Sequence, residues 1–144
     1  MVESGKKDVG REAEAMPVGP PAIRTIAMPA DTNPAGDIFG GWLMCQMDLA
    51  ASNVAARCAR GRCATVAVEK LSFLSPVKVG DEVTVWAELL GIGTTSMRFK
   101  VSAWRRARDV ERYTKVTEAV FTFVALDSEG HSRPVSTGEM AGMG

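Results

Sequence analysis

The chain has 144 residues, enough for one domain with a substantial hydrophobic core, and 46% of them are hydrophobic and 24% charged, as in ordinary globular proteins. Seventeen basic residues balance seventeen acidic ones, so bulk charge gives no support for nucleic acid or an anionic membrane as a partner. With one histidine and three cysteines that form no CxxC pair, the composition predicts no metal site.

The termini and cysteines predict a cytoplasmic protein. No apolar run approaches the roughly 20 residues needed to cross a bilayer, and the first residues lack the apolar core of a signal peptide. The cysteines are expected to be reduced thiols. Residues 1–20 are rich in Gly, Pro and charge and predict a disordered arm, the Gly-rich residues 136–144 predict a flexible tail, and residues 21–135 remain as a single domain.

The patterns along this domain predict one helix and five strands. In chain order they predict a short strand over 22–28, turn formers over 29–36, a helix over 40–59, strands over 65–73, 82–90 and 96–104, a charged hairpin loop over 105–111 and a strand over 114–126. This order indicates an α+β fold with an antiparallel sheet. Only the helix, about 30 Å long, can cover one sheet face, so the sheet should curl round it. The uncovered edges favour an oligomer.

The helix is apolar nearly all the way round, which predicts a buried helix. Asp48 lies in its middle, with no basic residue three or four positions away. Two interpretations follow. Asp48 is either structural, paired with a strand or exposed on a stripe with Gln46 and Asn53, or it is an acid that lines a cleft.

A second acid, Asp37, precedes the helix by one turn. It is either an N-terminal cap or dipole partner of the helix, or part of a site. Between the two acids lie Gly40 and Gly41, which let a ligand approach the free backbone N–H groups of a helix start. Such donors can stabilise an oxyanion.

Residues 28–48, MPADTNPAGDIFGGWLMCQMD, resemble the signature of the bacterial YciA-type acyl-CoA thioesterases, which have the hotdog fold. The resemblance covers roughly residues 22–134 and continues through VAVE at 66–69, FLSPVKVGDE at 73–82, GTTS at 93–96 and TEAVFTFVA at 117–125. It implies a central helix wrapped by a curved antiparallel sheet, two protomers that join their sheets, and trimers of such dimers. It also implies hydrolysis of fatty acyl-CoA, with coenzyme A as part of the substrate and no separate cofactor.

The resemblance implies roles for particular residues at a site shared by two protomers. Asp48 is the catalytic carboxylate, as base or as nucleophile, and faces the loop from Asp37 to Gly41 of the other chain. Asp37 helps to place the thioester, the N–H groups near Gly40 and Gly41 polarise its carbonyl, and the Thr65 hydroxyl holds water or the acid. Asn33 and Phe39, in the same signature, are expected to bind substrate.

The phosphates of coenzyme A call for Arg or Lys. Arg105, Arg106 and Arg108 cluster in the predicted hairpin and are the candidates, the alternative being a solvated charged loop.

Two rival functions use the same cleft. A hotdog dehydratase needs a histidine in the helix region, whereas His131 belongs to a late turn. A non-catalytic acyl-CoA-binding sensor does not need an acid beside the carbonyl, so Asp37 and Asp48 argue against it.

Overall fold

The computed structural model describes residues 15–135. The predicted tail 136–144 and the first fourteen residues of the predicted arm lie outside this range. The elements are β1 (Ile23–Ile26), a 3-10 turn (Pro29–Asp31), α1 (Gly40–Ala59), β2 (Cys63–Phe73), β3 (Glu82–Ile92), β4 (Ser96–Arg106) and β5 (Tyr113–Ala125). The described part of the predicted arm, residues 15–20, has no helix or strand, and the Trp86 indole N–H donates to the Gly19 carbonyl at 3.1 Å.

The five strands form one antiparallel sheet in the order β1-β3-β4-β5-β2, and α1 packs against the four long strands. Alternate side chains of each strand point to the helix. Phe99, Phe121 and Phe123 are at most 1% exposed, and Phe99 meets Phe123 edge-on with ring centroids 5.9 Å apart. Burial of such a side chain contributes about 1.5–3 kcal/mol. One layer of aromatic and aliphatic side chains therefore joins the helix to the sheet.

The charged hairpin is shorter than the sequence predicts. β4 continues to Arg106, with Arg105 paired opposite Val83 and Arg106 opposite Glu82. The prediction that these two arginines lie in a loop is therefore wrong. The reason is a cross-strand ion pair, because opposite charges on neighbouring strands stabilise the ladder where hydrophobic alternation ends.

The predicted buried helix buries only one of its faces within the single chain. Leu49 is 54% exposed, and Cys45 lies on the same open side of α1. A single helix on one sheet can bury only the face that it turns to the strands. The apolar residues on its other face are thus left without a partner inside the chain.

β2 forms one edge of the sheet and is unusually apolar for an exposed edge strand. It pairs with β5 alone among the described strands, and Val66, Val68 and Phe73 are 57%, 38% and 50% exposed. An exposed apolar edge is a template for pairing with another chain. Within residues 15–135, no helix is long and apolar enough to cross a membrane.

Candidate active site

Asp48 lies where α1 passes β2. It is half-buried, and its Oδ1 accepts a hydrogen bond of 2.6 Å from the Thr65 hydroxyl. Thr65 pairs with Phe123 of β5, just before a bulge in β2, so its side chain points to the helix. The carboxylate has no ion pair with any residue of 15–135, which rules out the salt-bridge interpretation. A strand hydroxyl orients this acid without neutralising its charge.

The loop before α1 is closed by the side chain of Asn33. Its Oδ1 accepts from the backbone N–H groups of Ala35 (3.0 Å) and Asp37 (3.1 Å), while the backbone N–H of Asn33 donates to the Asp37 carbonyl at 2.7 Å. Such an Asx turn fixes which side of the amide faces the loop. The Nδ2 group, which has no partner among the described residues, remains a free donor.

Asp37 does not cap the helix. The N-cap is Phe39, which has no side-chain cap hydrogen bond, and the Asp37 carboxylate instead pairs with Lys78 Nζ at 2.5 Å. The cap interpretation is therefore wrong, because the chain turns Asp37 away toward the segment between β2 and β3. Ile38 N–H also donates to the Val77 carbonyl at 3.2 Å. The loop is thus held to that segment by one ion pair and one backbone bond.

The start of α1 presents free donors. The first intrahelical bond runs from Leu43 N–H to the Phe39 carbonyl at 3.3 Å, so the N–H groups of Gly40, Gly41 and Trp42 precede the ladder. A Cβ on Gly41 would have no atom within 4 Å. These amides and the helix dipole favour an anion or an oxyanion at this position.

The acid and these donors are too far apart to act together in one chain. Asp48 lies eight residues after Gly40 in a continuous helix, which is about 12 Å along the axis. The Asp48 side chain spans only a small part of that distance. Within a single protomer the helix start and Asp48 are therefore two separate candidate half-sites.

The three arginines occupy different environments. Arg105 pairs with the buried carboxylate of Asp81 at 3.1 Å, and Arg106 pairs with Glu82 at 3.5 Å. Arg108 is exposed and has no hydrogen bond or ion pair within the described chain. The two strand arginines are already held by carboxylates, whereas Arg108 is available.

The other nucleophile near Asp48 is a poor one. Burial raises the pKa of the Cys63 thiol above its ordinary value, the positive charge of Arg133 lowers it by less, and the charges of Cys58 and Asp48 add smaller rises. Because of this raised pKa, Cys63 is protonated at neutral pH. The thiolate is the reactive form of cysteine, so this thiol is a weak nucleophile.

His131 is exposed in a turn beside Asp127, and no cluster that could hold a metal occurs in residues 15–135.

Comparison with known proteins defines the class. Residues 35–111 match the thioesterase superfamily model, and the chain belongs to this superfamily. Within it, the chain is 46% identical over 121 residues to the acyl-CoA thioester hydrolase YciA of Escherichia coli. This match covers 82% of this chain and 92% of that protein. The predicted family is therefore confirmed.

Solved structures confirm the predicted hotdog fold. A hexameric hotdog fold thioesterase of Campylobacter jejuni superposes with a TM-score of 0.80 at 32% identity, over 85% of this chain and 95% of that one. An acyl-CoA hydrolase of Staphylococcus aureus, in complex with butyryl coenzyme A, coenzyme A and coenzyme A disulfide, superposes with a TM-score of 0.74 at 31% identity. The superposition covers 78% of this chain and 69% of that one. The latter protein has also been solved as an Asp→Ala and as an Asn→Ala variant, at positions 15 residues apart.

Proposed function

We propose that this protein hydrolyses acyl-CoA thioesters to the free acid and coenzyme A. The observation that carries the proposal is the Asp48 carboxylate, which Thr65 holds at 2.6 Å and which has no cation beside it in the described chain. The hydroxyl orients the carboxylate, and no cation of the described chain competes with a substrate for it. The relatives named acyl-CoA thioester hydrolase support the substrate class.

The chemistry requires that the carbon–sulfur bond of the thioester breaks. In one route Asp48 takes a proton from water, the hydroxide adds to the carbonyl carbon, and the collapsing oxyanion expels the coenzyme A thiolate, which then takes up a proton. In the other route Asp48 adds to the carbonyl itself, expels the thiolate and forms a mixed anhydride that water hydrolyses. Either route develops negative charge on the carbonyl oxygen, which the N–H groups of Gly40 and Gly41 would stabilise.

We propose that the site is shared by two protomers. The separation of about 12 Å along α1 leaves each helix start without its own acid. The thioester would bind at Gly40 and Gly41 of one protomer, where the partner's Asp48 reaches it. Two equivalent sites then form in one dimer, and activity depends on assembly.

The loop residue that contacts the thioester is proposed to be Asn33, with Asp37 in a positioning role. Asn33 and Asp48 are 15 residues apart, the same spacing as the Asn and Asp replaced in the Staphylococcus aureus hydrolase. Asn33 has a free amide donor, whereas the Asp37 carboxylate is occupied by Lys78. Asp37 therefore supports the loop that presents Asn33 and the two glycines.

For the phosphates of coenzyme A, we propose Arg108 as the direct contact. Its guanidinium is free, and its side chain lies 3.2 Å from the position of a Cβ on Gly80, at the same end of the domain as Lys78. Arg105 and Arg106 would add positive potential while held by Asp81 and Glu82. A surface phosphate contact of this kind is weakened by salt.

The proposed assembly is a dimer made through β2, with three dimers in a hexamer. The exposed Val66, Val68 and Phe73 along the β2 edge and Leu49 on the helix beside it form one apolar surface. Pairing of two such edges would join both sheets and bury this surface. The Campylobacter jejuni relative is a hexamer.

We propose the cytoplasm as the compartment. All three cysteines are free thiols in the structure, which is the ordinary state in a reducing environment. Fractionation of cells that produce the protein would test this, and recovery from an oxidising compartment would contradict it.

The central test is the release of free coenzyme A from several acyl-CoAs, measured with a thiol reagent. Wild type should turn over, and Asp48→Ala and Asp48→Asn should lose at least about 100-fold in kcat/KM while they keep the assembly. Near-normal turnover by a correctly assembled Asp48→Ala variant would contradict the proposal.

A single turnover in heavy-oxygen water distinguishes the general-base route from the anhydride route. Label in the Asp48 peptide indicates the anhydride, and its absence indicates attack by water.

A further inference from the structure

A buried acid outside the two candidate half-sites closes the turn between β2 and β3. Asp81 is 4% exposed. Its Oδ2 accepts from the Lys78 backbone N–H at 2.9 Å, and its own backbone N–H donates to the Lys78 carbonyl at 3.0 Å. Gly80 supplies the left-handed φ of 92° that this turn requires. The turn over residues 78–81 is therefore closed by the Asp81 side chain as well as by its backbone.

The same carboxylate oxygen fixes the turn to the sheet. Asp81 Oδ2 also accepts from Arg105 Nη1 of β4 at 3.1 Å. The backbone of the turn is bonded to the residue after β1, because the Ala27 N–H donates to the Asp81 carbonyl at 3.0 Å and the Gly80 N–H donates to the Ala27 carbonyl at 2.8 Å. The turn is thus attached to the ends of two strands.

The ion pair of Asp81 with Arg105 fixes a position more than it adds stability. Arg105 Nε is buried and has no hydrogen-bond partner within residues 15–135, and a buried donor without a partner costs free energy. Taking both charges out of water also offsets most of their attraction. The pair therefore adds little net stability, and its main effect is to hold the turn in place.

The fixed turn supports the loop that carries the proposed carbonyl donors. The Lys78 ammonium pairs with the Asp37 carboxylate at 2.5 Å. The Val77 carbonyl, one residue before the turn, accepts from the Ile38 N–H at 3.2 Å. Ile38 lies two residues before Gly40, whose N–H is one of the free donors at the start of α1. A shift of the turn would therefore move these donors relative to a bound thioester.

We infer that Asp81 is a positioning residue for the proposed hydrolysis. Its carboxylate is occupied by Lys78 and Arg105, so it acts through the loop and not on the substrate. It holds the turn that sets where the Gly40 and Gly41 N–H groups lie against the carbonyl oxygen. The inference rests on the proposed function. Because a misplacement of about 1 Å can cost about 100-fold in rate, loss of this carboxylate should appear in kcat rather than in KM.

The first test separates kcat from KM on the acyl-CoA that wild type hydrolyses fastest. Asp81→Asn keeps the shape of the side chain and removes its charge, so kcat should fall about 10- to 100-fold while KM changes less than about threefold. Removal of one partner leaves the Arg105 charge uncompensated, which destabilises the domain. The double variant Asp81→Asn/Arg105→Met leaves no buried charge and should show the same loss of kcat.

Glu118→Gln is the matched control. The Glu118 carboxylate also pairs with a buried cation, since the Lys115 side chain is 5% exposed. It precedes Ala119, which belongs to the hydrophobic core under the helix, so Glu118 points to the other face of the sheet. This variant also loses a buried ion pair but leaves the turn intact, and its kcat should stay within about twofold of wild type.

Hydrogen exchange tests the position of the loop without turnover. In Asp81→Asn, the Ile38 amide hydrogen should exchange at least about tenfold faster than in wild type, measured by mass spectrometry on a peptide that spans residues 33–41. Exchange over residues 96–102 of β4 should be unchanged, which shows that the sheet is intact. Glu118→Gln should leave both regions at the wild-type rate.

Three results would overturn the inference. An equal loss of kcat in Asp81→Asn and Glu118→Gln would assign Asp81 a general structural role. Normal kcat in the double variant would show that the loop does not need this carboxylate, and a loss confined to KM would place Asp81 in substrate binding. If wild type hydrolyses no acyl-CoA, the proposed function fails, and hydrogen exchange decides separately whether Asp81 holds the loop.

Discussion

The hydroxyl of Thr65 is the one direct hydrogen-bond partner of Asp48 in the described chain, at 2.6 Å. Thr65→Val keeps the shape and removes the donor, so the carboxylate is free to turn. A hydrogen bond to a charged group contributes about 1.5–3 kcal/mol, and we expect kcat/KM to fall about 10- to 100-fold. Thr65→Ser keeps the hydroxyl and should restore most of the activity.

Thr122→Val is the matched control for this change. Thr122 pairs with Ala67 between two residues that face the helix, so its own side chain points to the other face of the sheet. Steady-state kinetics on all three variants should leave Thr122→Val at the wild-type rate. A Thr65→Ser variant as slow as Thr65→Val would assign Thr65 a packing role instead.

The division of labour between Asn33 and Asp37 is testable with isosteric changes. Asn33→Asp keeps the oxygen that closes the loop and removes the free amide donor, so kcat/KM should fall at least about 100-fold. Asp37→Asn weakens an exposed ion pair with Lys78, which is worth about 1 kcal/mol or less, and should cost less than tenfold. The reverse order of the two losses would make Asp37 the residue that contacts the thioester.

At the scale of elements, the end of α1 depends on an arginine from the other end of the chain. Arg133 donates to the Ala59 carbonyl at 2.6 Å and to the Leu126 carbonyl at 2.9 Å. These bonds satisfy a free carbonyl of the last helical turn and complement the helix dipole. The helix that carries Asp48 is thereby fixed to the segment after β5.

Arg133→Met should therefore lower the free energy of unfolding by about 2–3 kcal/mol, measured by urea denaturation at one protomer concentration. Arg62→Met is the control, since Arg62 is exposed and reaches its carbonyls only at 3.2 and 3.4 Å, and it should cost about 0.5 kcal/mol. Equal effects of both substitutions would show that Arg133 does not hold the helix end.

The bounds of the helix could be predicted from local sequence patterns, whereas contacts between distant elements could not be predicted from such patterns. The bounds Gly40–Ala59 agree with the prediction because turn formers over 29–36 precede the helix and a left-handed Arg60 followed by Gly61 ends it. The contact of Thr65 with Asp48 spans 17 residues and depends on the register of β2 against β5, so the family resemblance implied it while no local pattern did. The pairing of Asp37 with Lys78 was hidden for the same reason.

At the scale of the whole molecule, the separation of Asp48 from the helix start and the apolar β2 edge both support the proposed dimer. The proposed acid and oxyanion donors are about 12 Å apart along the helix, and Val66 is 57% exposed on an open strand edge. Both observations support the proposal that a second copy completes the site. Assembly would bury the apolar surface and complete the site in the same step. Stability and activity should therefore depend together on protomer concentration.

Val66→Asp tests this coupling. Val66 is exposed in the single chain, so the substitution should leave the fold intact, while a charge in the paired edge should disrupt the dimer. We expect smaller particles by sedimentation, an unchanged far-ultraviolet circular dichroism spectrum and a loss of at least about 100-fold in kcat/KM. Leu90→Asp, the same change at a site 52% exposed on β3, should keep both assembly and activity. A monomeric Val66→Asp protein with normal turnover would show that one protomer holds a complete site.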